Sequence, residues 1–346
     1  MGLLIMLKQA TFKNFTTLPN ETLVFAPGLN VIVAENGCGK THLLKAIYSL
    51  LSVNTAKELS KTTLQKAYAD KLMGVFRAES LGRLVKRKQG RERCEIRLTM
   101  AEAEQDCEIN FASNATTGVQ VELAPQASLN QPPVYLPTRE LVTLCPWFIN
   151  LYDNYHLEFE ATWRDTCSLL GAPSLKGPRE KQVAKLMQPL EEAMGGKVLV
   201  EPNTGRFYLL QAGQKLEMPL VAEGLRKLAM LARLISTGVL LEQGYLFWDE
   251  PEANLNPKLI KMLARVILSL AAQGIQIFIA SHSLFLLREI EVLARDEYKV
   301  PRRYFGLSLG EDGTVLEQAD ELEDIQTLVL LDEELEQADR YLGSGA

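Results

Sequence analysis

Residues 30–47 read NVIVAENGCGKTHLLKAI, and this stretch decides the fold. Val31, Ile32 and Val33 predict a short buried strand over residues 30–34. Asn36-Gly37-Cys38-Gly39-Lys40-Thr41 follows, and a helical run begins at His42. A polyphosphate loop needs this order. The glycines let backbone N–H groups crowd the phosphates, and the start of the next helix adds partial positive charge. Lys40 is placed to reach β- and γ-phosphates, and the Thr41 hydroxyl to bind Mg²⁺. Asn36, Gly37, Cys38, Gly39, Lys40, Thr41 and His42 are therefore the candidate nucleotide contacts. The general spacing is Gly, four residues, then Gly-Lys-Ser/Thr; here Ala34 stands at the first position, where it allows less backbone freedom.

A second stretch, GYLFWDEPEANLNP (residues 244–257), supplies carboxylates. Tyr245 to Trp248 predicts an apolar strand ending in Asp249-Glu250. A carboxylate at such a strand end holds magnesium through water, and its neighbour acts as general base on the attacking water. A third, IQIFIASHSLFLL (residues 275–287), predicts another buried strand with His282 at its tip. In parallel α/β sheets the strand C-termini line one crevice. Lys40, Asp249, Glu250 and His282 are thus expected to converge. Of the other two histidines, His42 lies on the helix of the loop and His156 in the polar stretch LYDNYHLEFE.

Together these motifs resemble the ABC-type ATPase head, in the branch that includes SMC, RecF and the OLD-family ATPases. LKQATFKNFTTL…FAPGLNVIVAENGCGKTHLLKAI resembles the opening of that branch, WDEPEANLNP its Walker B and D-loop, and ASHS its switch-histidine segment. VYLPTRE (134–140) resembles the segment at the Q-loop position, with Glu140 where transporters carry Gln. LVAEGLRKLAMLARLI (220–235) resembles the signature region: Gly224 precedes a helix with Leu225, Leu228, Leu231, Ala232 and Ile235 at helical spacing. The transporter form of that loop is Ser-Gly-Gly-Gln; here it is Ala222-Glu223-Gly224, without the hydroxyl. The resemblance covers residues 1–50 and 215–310 plus the short middle motif.

That resemblance implies an α/β fold with a mixed, largely parallel core sheet, an antiparallel side sheet and a helical lid. It implies ATP and Mg²⁺ as ligands. Lys40, Glu250 and His282 would be catalytic, and Thr41, Asp249 and Glu140 would lie at the metal. Lys13 and Asn14 would sit near the nucleotide. Gly224 would reach a partner's γ-phosphate in a homodimer that sandwiches two ATP molecules. Compact ATPases of this kind resemble those of bacterial antiphage systems, in which the ATPase gates a separate nuclease or toxin. A RecF-type DNA-repair ATPase and a slow-turnover ATP-dependent scaffold are the alternatives.

Composition sets the remaining bounds. The chain has 346 residues, 47% hydrophobic, and no run approaches the roughly 18 apolar residues of a membrane span. Its five cysteines, Cys38, Cys94, Cys107, Cys145 and Cys167, form no Cys-x-x-Cys pair, which points to reduced thiols, a cytoplasmic setting and no structural zinc. Net charge is −6, yet residues 311–341 hold twelve acids and one base, so the rest of the chain is positive. Lys86, Arg87, Lys88, Arg91 and Arg93 form a basic cluster that suits either a solvated face or a phosphate backbone such as DNA.

The expected organisation is one ABC-type domain over 1–346. Residues 1–54 and 197–310 form the nucleotide-binding core, 55–140 the side sheet and helices, and 141–196 the lid. Residues 311–346 form an acidic helical tail with Leu328, Leu331 and Leu335 on one face. Residues 197–218 predict a hairpin turning at PNTG. No heptad run predicts a coiled coil.

Overall fold

The computed structural model describes residues 6–57, 60–87, 92–155, 157–175, 177, 180–241, 244–311, 313–326, 336, 337 and 339–343. His156, Lys88, Arg91, Leu328, Leu331 and Leu335 lie outside the described residues. In chain order the elements are β1 (Leu7–Lys13), β2 (Thr22–Val24), β3 (Leu29–Ala34), α1 (Lys40–Val53), α2 (Lys61–Phe76), β4 (Arg93–Met100), β5 (Cys107–Ala112), β6 (Gln120–Leu123) and β7 (Val134–Leu136). The helices α3 (Cys145–Tyr155), α4 (Ala161–Gly171) and α5 (Glu180–Met194) follow, then β8 (Lys197–Val200), β9 (Phe207–Gln211) and β10 (Gln214–Glu217). The chain continues through α6 (Glu223–Ser236), β11 (Tyr245–Asp249), α7 (Pro257–Ala272), β12 (Gln276–Ser281), α8 (Leu284–Asp296), β13 (Arg302–Gly310) and β14 (Gly313–Ala319).

The central sheet runs β14-β13-β3-β12-β11-β7. All its pairings are parallel except β13 with β14. Helices and a second sheet cover both faces, which explains the continuous apolar runs of β3, β11 and β12. Their side chains alternate between two cores. Leu29, Val31, Val33, Leu246, Trp248, Ile277 and Ile279 pack with the lid helices, α6 and α7. Ile32, Ala34, Tyr245, Phe247, Phe278 and Ala280 pack with α1, α2 and the antiparallel sheet. Because β3, β11 and β12 are parallel neighbours, their C-termini share one edge.

The antiparallel sheet runs β2-β1-β4-β5-β6. In β4 the alternate residues Cys94, Ile96, Leu98 and Met100 are buried, as a one-sided sheet demands. The expected hairpin at 197–218 is a three-stranded meander, β10-β9-β8, with PNTG between β8 and β9.

Three sequence groupings need correction. β1, grouped with the nucleotide-binding core, pairs instead with β2 and β4 in the antiparallel sheet. β7, grouped with the side sheet, is an edge strand of the central sheet beside β11, and its three residues are all buried. Residues 313–319, expected in a helical tail, are strand β14; Thr314 and Leu316 point inward at a period of two and the strand completes a hairpin with β13.

Candidate nucleotide site

The loop between β3 and α1 takes its shape from two glycines. Gly37 and Gly39 have φ of 88° and 97°, the left-handed region that only glycine enters freely. A Cβ on Gly39 would also lie 2.7 Å from the Thr17 hydroxyl. The Lys40 ammonium is buried and donates to the carbonyls of Ala34 and Glu35, the latter at 3.1 Å. Desolvation lowers its pKa, opposed by the charges of Glu250, Asp249 and Glu252. The Thr41 hydroxyl donates to Asp249 Oδ2 at 2.9 Å, joining the loop helix to the end of β11. Asp249 is buried and its pKa is raised, chiefly by desolvation. A buried carboxylate with a hydroxyl beside it is a hard-oxygen pair that suits Mg²⁺.

Glu250 follows with φ of 46°, left-handed without being glycine. Such a conformation costs of order 1–3 kcal/mol and persists only where its surroundings hold it. Here its N–H donates to the Ala280 carbonyl at 2.8 Å. Its carboxylate lies 3.4 Å from His282 Nδ1 at the end of β12, and both side chains reach solvent. Thus Lys40, Thr41, Asp249, Glu250 and His282 gather at one sheet edge. Asn36, Gly37, Gly39 and His42 line the same recess with Glu250. Among the described residues no cluster of three or more His, Cys, Asp or Glu could hold a metal ion. Magnesium would therefore rest on Thr41, Asp249 and the nucleotide's own phosphates.

Two family models match the chain. Residues 141–288 match one described as "AAA domain, putative AbiEii toxin, Type IV TA system", and residues 10–131 match one described as "AAA domain". DNA replication and repair protein RecF of Salmonella typhi is 34% identical over 96 residues, 26% of this chain and 27% of RecF. The same protein of Salmonella enteritidis PT4 matches equally. The chain spans about a quarter of the length of these curated relatives. Among solved structures, an SMC head bound to the C-winged helix domain of ScpA superposes with a TM-score of 0.58 at 12% identity, covering 92% of this chain and 99% of that one. The SMC head domain from Thermotoga maritima gives 0.50 at 12% identity, covering 91% and 99%. The chain has the fold of an SMC head, and AAA-domain models match two separate stretches of it.

The head places its other motif residues unevenly. Glu140 lies four residues beyond the end of β7. Its carboxylate accepts from the Thr143 hydroxyl at 2.7 Å and backbone N–H at 3.2 Å, and pairs with the Arg226 guanidinium at 3.1 Å. Lys13 pairs with Glu95 at 2.6 Å on the antiparallel sheet. The Asn14 amide donates to Glu92 and the Arg93 carbonyl. Thr17, not these two, abuts the loop at Gly39. Cys38 is fully buried and its thiol pKa is raised, first by desolvation, so it is a poor thiolate. His42 stacks edge-on against Phe76 at 5.5 Å, and burial lowers its pKa.

Gly224 has a reason to be glycine within its own chain. A Cβ there would meet the Asn254 carbonyl at 2.6 Å and Leu255 at 2.9 Å, so the signature segment packs directly on the D-loop. Ala222, at the N-cap of α6, makes no side-chain cap. In the D-loop, Asn254 has φ of 64°, and Asn256 caps α7 by accepting from Leu259 N–H at 3.0 Å.

Two residues beneath the site escaped the sequence reading. Lys227 on α6 is fully buried and donates to the Glu250 and Ala253 carbonyls at 3.1 and 3.0 Å. Glu252 is buried and accepts from the Ser281 hydroxyl at 2.6 Å. The only sequence signals are a lysine on the apolar face of α6 and the second acid of DEPE.

The basic residues around the cluster are partly engaged within the chain. Arg83 pairs with Glu79 at 3.2 Å, and Arg93 bonds Asn110 and Gln120. Arg83, Lys86 and Arg87 wall a cleft of about 510 Å³ that reaches Thr17 and His42 beside the loop. Among the described residues, no helix is long and apolar enough to cross a membrane.

Proposed function

We propose that the head binds Mg-ATP at the loop and hydrolyses it, and that two copies close around two nucleotides to gate a separate effector, a nuclease or toxin, in cytoplasmic antiphage defence. The observation that carries this reading is the meeting of Thr41 with Asp249 and of Glu250 with His282 at the ends of adjacent strands. The toxin and type IV system in the description of the matched family support an effector-linked role.

The chemistry follows from the side chains. The Lys40 ammonium exchanges the Ala34 and Glu35 carbonyls for β- and γ-phosphate oxygens. Thr41 and Asp249 would hold Mg²⁺, which would offset phosphate charge. Glu250 takes the proton of the attacking water. His282, beside Glu250, contacts the γ-phosphate and reports its loss. In Mg-ATP, Glu250→Gln is expected to double the mass seen by light scattering and to capture a stoichiometric second protein from the native host. A monomer in both ATP and ADP would contradict the sandwich.

A DNA-directed role is the second reading, favoured by the likeness to RecF and by the wall of Arg83, Lys86 and Arg87. It expects duplex DNA to stimulate turnover with a steep salt dependence, lost on reversing Lys86 and Arg87 to Glu.

A further inference from the structure

A buried cation lies directly beneath the turn that follows β11. Lys227 sits on α6 three residues after Gly224 and is wholly removed from solvent. Burying an ammonium is costly unless hydrogen bonds and opposite charge compensate. Two of its protons go to the Glu250 and Ala253 carbonyls. Among the carboxylates that favour its charge, Glu252 acts most strongly, followed by Glu223, Glu250 and Asp249. Glu252 is itself buried. Its Oε1 accepts from the Ser281 hydroxyl at 2.6 Å and the His282 N–H at 3.3 Å, while its Oε2 has no hydrogen-bond partner. One buried cation and one buried carboxylate therefore tie together α6, the turn carrying Glu250 and the end of β12 carrying His282.

Simple core filling does not account for this placement, because an apolar side chain would fill the volume without desolvating a charge. The lysine donates to the carbonyl of the one residue in the turn that combines a left-handed backbone with a reactive carboxylate, Glu250. We propose that Lys227 and Glu252 are positioning residues for hydrolysis: Lys227 holds the Glu250 backbone in its left-handed conformation, and Glu252 fixes the His282 backbone opposite it. The helix behind Gly224 and the Glu250–His282 pair then move as one unit. The inference rests on the hydrolytic reading of this site.

The test uses the full chain with Lys227→Met, Glu252→Gln and both together. Lys227→Met is expected to bind Mg-ATP within about 3-fold of wild type while kcat falls about 30-fold or more with KM little changed, the mark of a lost transition-state arrangement. Glu252→Gln keeps the shape and one acceptor oxygen, so a loss of about 10-fold is expected, and the double variant should lose less than the product of the two. Hydrogen exchange at residues 250–255 and 282–283 should quicken in each single variant. Wild-type kcat and unchanged exchange in a folded Lys227→Met protein would overturn the proposal. If that variant does not fold, Glu252→Gln decides by the same two readouts. If wild type releases no more phosphate than Glu250→Gln, the hydrolytic reading fails, and the exchange data alone decide whether Lys227 holds the turn.

Discussion

The loop after β3 arranges its groups with residues that are neighbours in sequence, whereas the turn after β11 takes its shape from residues far along the chain. In the loop, Gly37, Gly39, Lys40 and Thr41 act within five positions, and Lys40 is held by carbonyls five and six residues back. In the turn, Glu250 and Ala253 are held by Lys227, 23 and 26 residues earlier, and Glu252 is engaged by Ser281 and His282, 29 and 30 residues later. A local device works as soon as its short segment is formed. A distributed one works only when α6, β11 and β12 are all in place. The phosphate-binding half is therefore expected to survive perturbations that disable the water-activating half, and the packing around α6 is where the second half can be regulated.

The sharpest way to break that comparison is Lys40→Ala. Under the proposed function it should remove nucleotide binding itself, weakening ATP affinity by about 100-fold or more, since that reading turns the Lys40 ammonium to the β- and γ-phosphates. Titration calorimetry reads this directly. Retained affinity would mean that the loop does not hold the phosphates through Lys40.

Gly224→Val probes the distributed half through packing alone. Its Cβ has only 2.6 Å to the Asn254 carbonyl, so the D-loop must shift, and overpacking of this kind costs about 1–3 kcal/mol. The thermal midpoint should fall and turnover should fall with it, while affinity for ATP stays near wild type. Equal loss of affinity would show that the two halves are not separable.

The smallest effect is one of pH. Desolvation lowers the Lys227 pKa to about 8, against the attraction of Glu252, Glu223, Glu250 and Asp249. Between that value and the ordinary lysine value the unfolded chain binds the extra proton, so this group's contribution to stability rises with pH across that window. Turnover should move the opposite way, because the neutral amine no longer balances Glu252. A fall in kcat of about 3- to 10-fold between pH 7.5 and 9.5, without loss of thermal stability and absent from Lys227→Met, is expected. A parallel fall in that variant would assign the limb to another group.

The same contrast explains what could be read from the sequence. The loop, the Asp249-Glu250 strand end and the His282 strand tip were legible, because each is a short segment whose spacing alone dictates strand, turn or helix. The sheet that gathers them follows from three apolar runs needing cover on both faces. The partner of Glu140 was not legible, because sequence position near β7 says nothing of the Arg226 guanidinium that pairs with its carboxylate. Lys13 and Asn14 were drawn to the antiparallel sheet by Glu95 and Glu92, partners more than 70 residues away. Gly224 was read for a partner's nucleotide, while its closeness to Asn254 exists only once α6 lies against the D-loop. Strand β14 was hidden inside an acidic stretch grouped with the helical pattern of Leu328, Leu331 and Leu335, although Thr314 and Leu316 alternate as a strand requires.

The central claim is that Glu250 activates water at a site where Lys40 and Thr41 hold ATP. The most direct measurement is phosphate release by the purified chain in Mg-ATP, run beside Glu250→Gln with ATP affinity measured for both. The account predicts measurable release by wild type, a loss of about 100-fold or more in the variant, and affinity that is equal or tighter. Equal release by the two proteins would contradict it, since the chemistry would then lie with another group or with none in this chain.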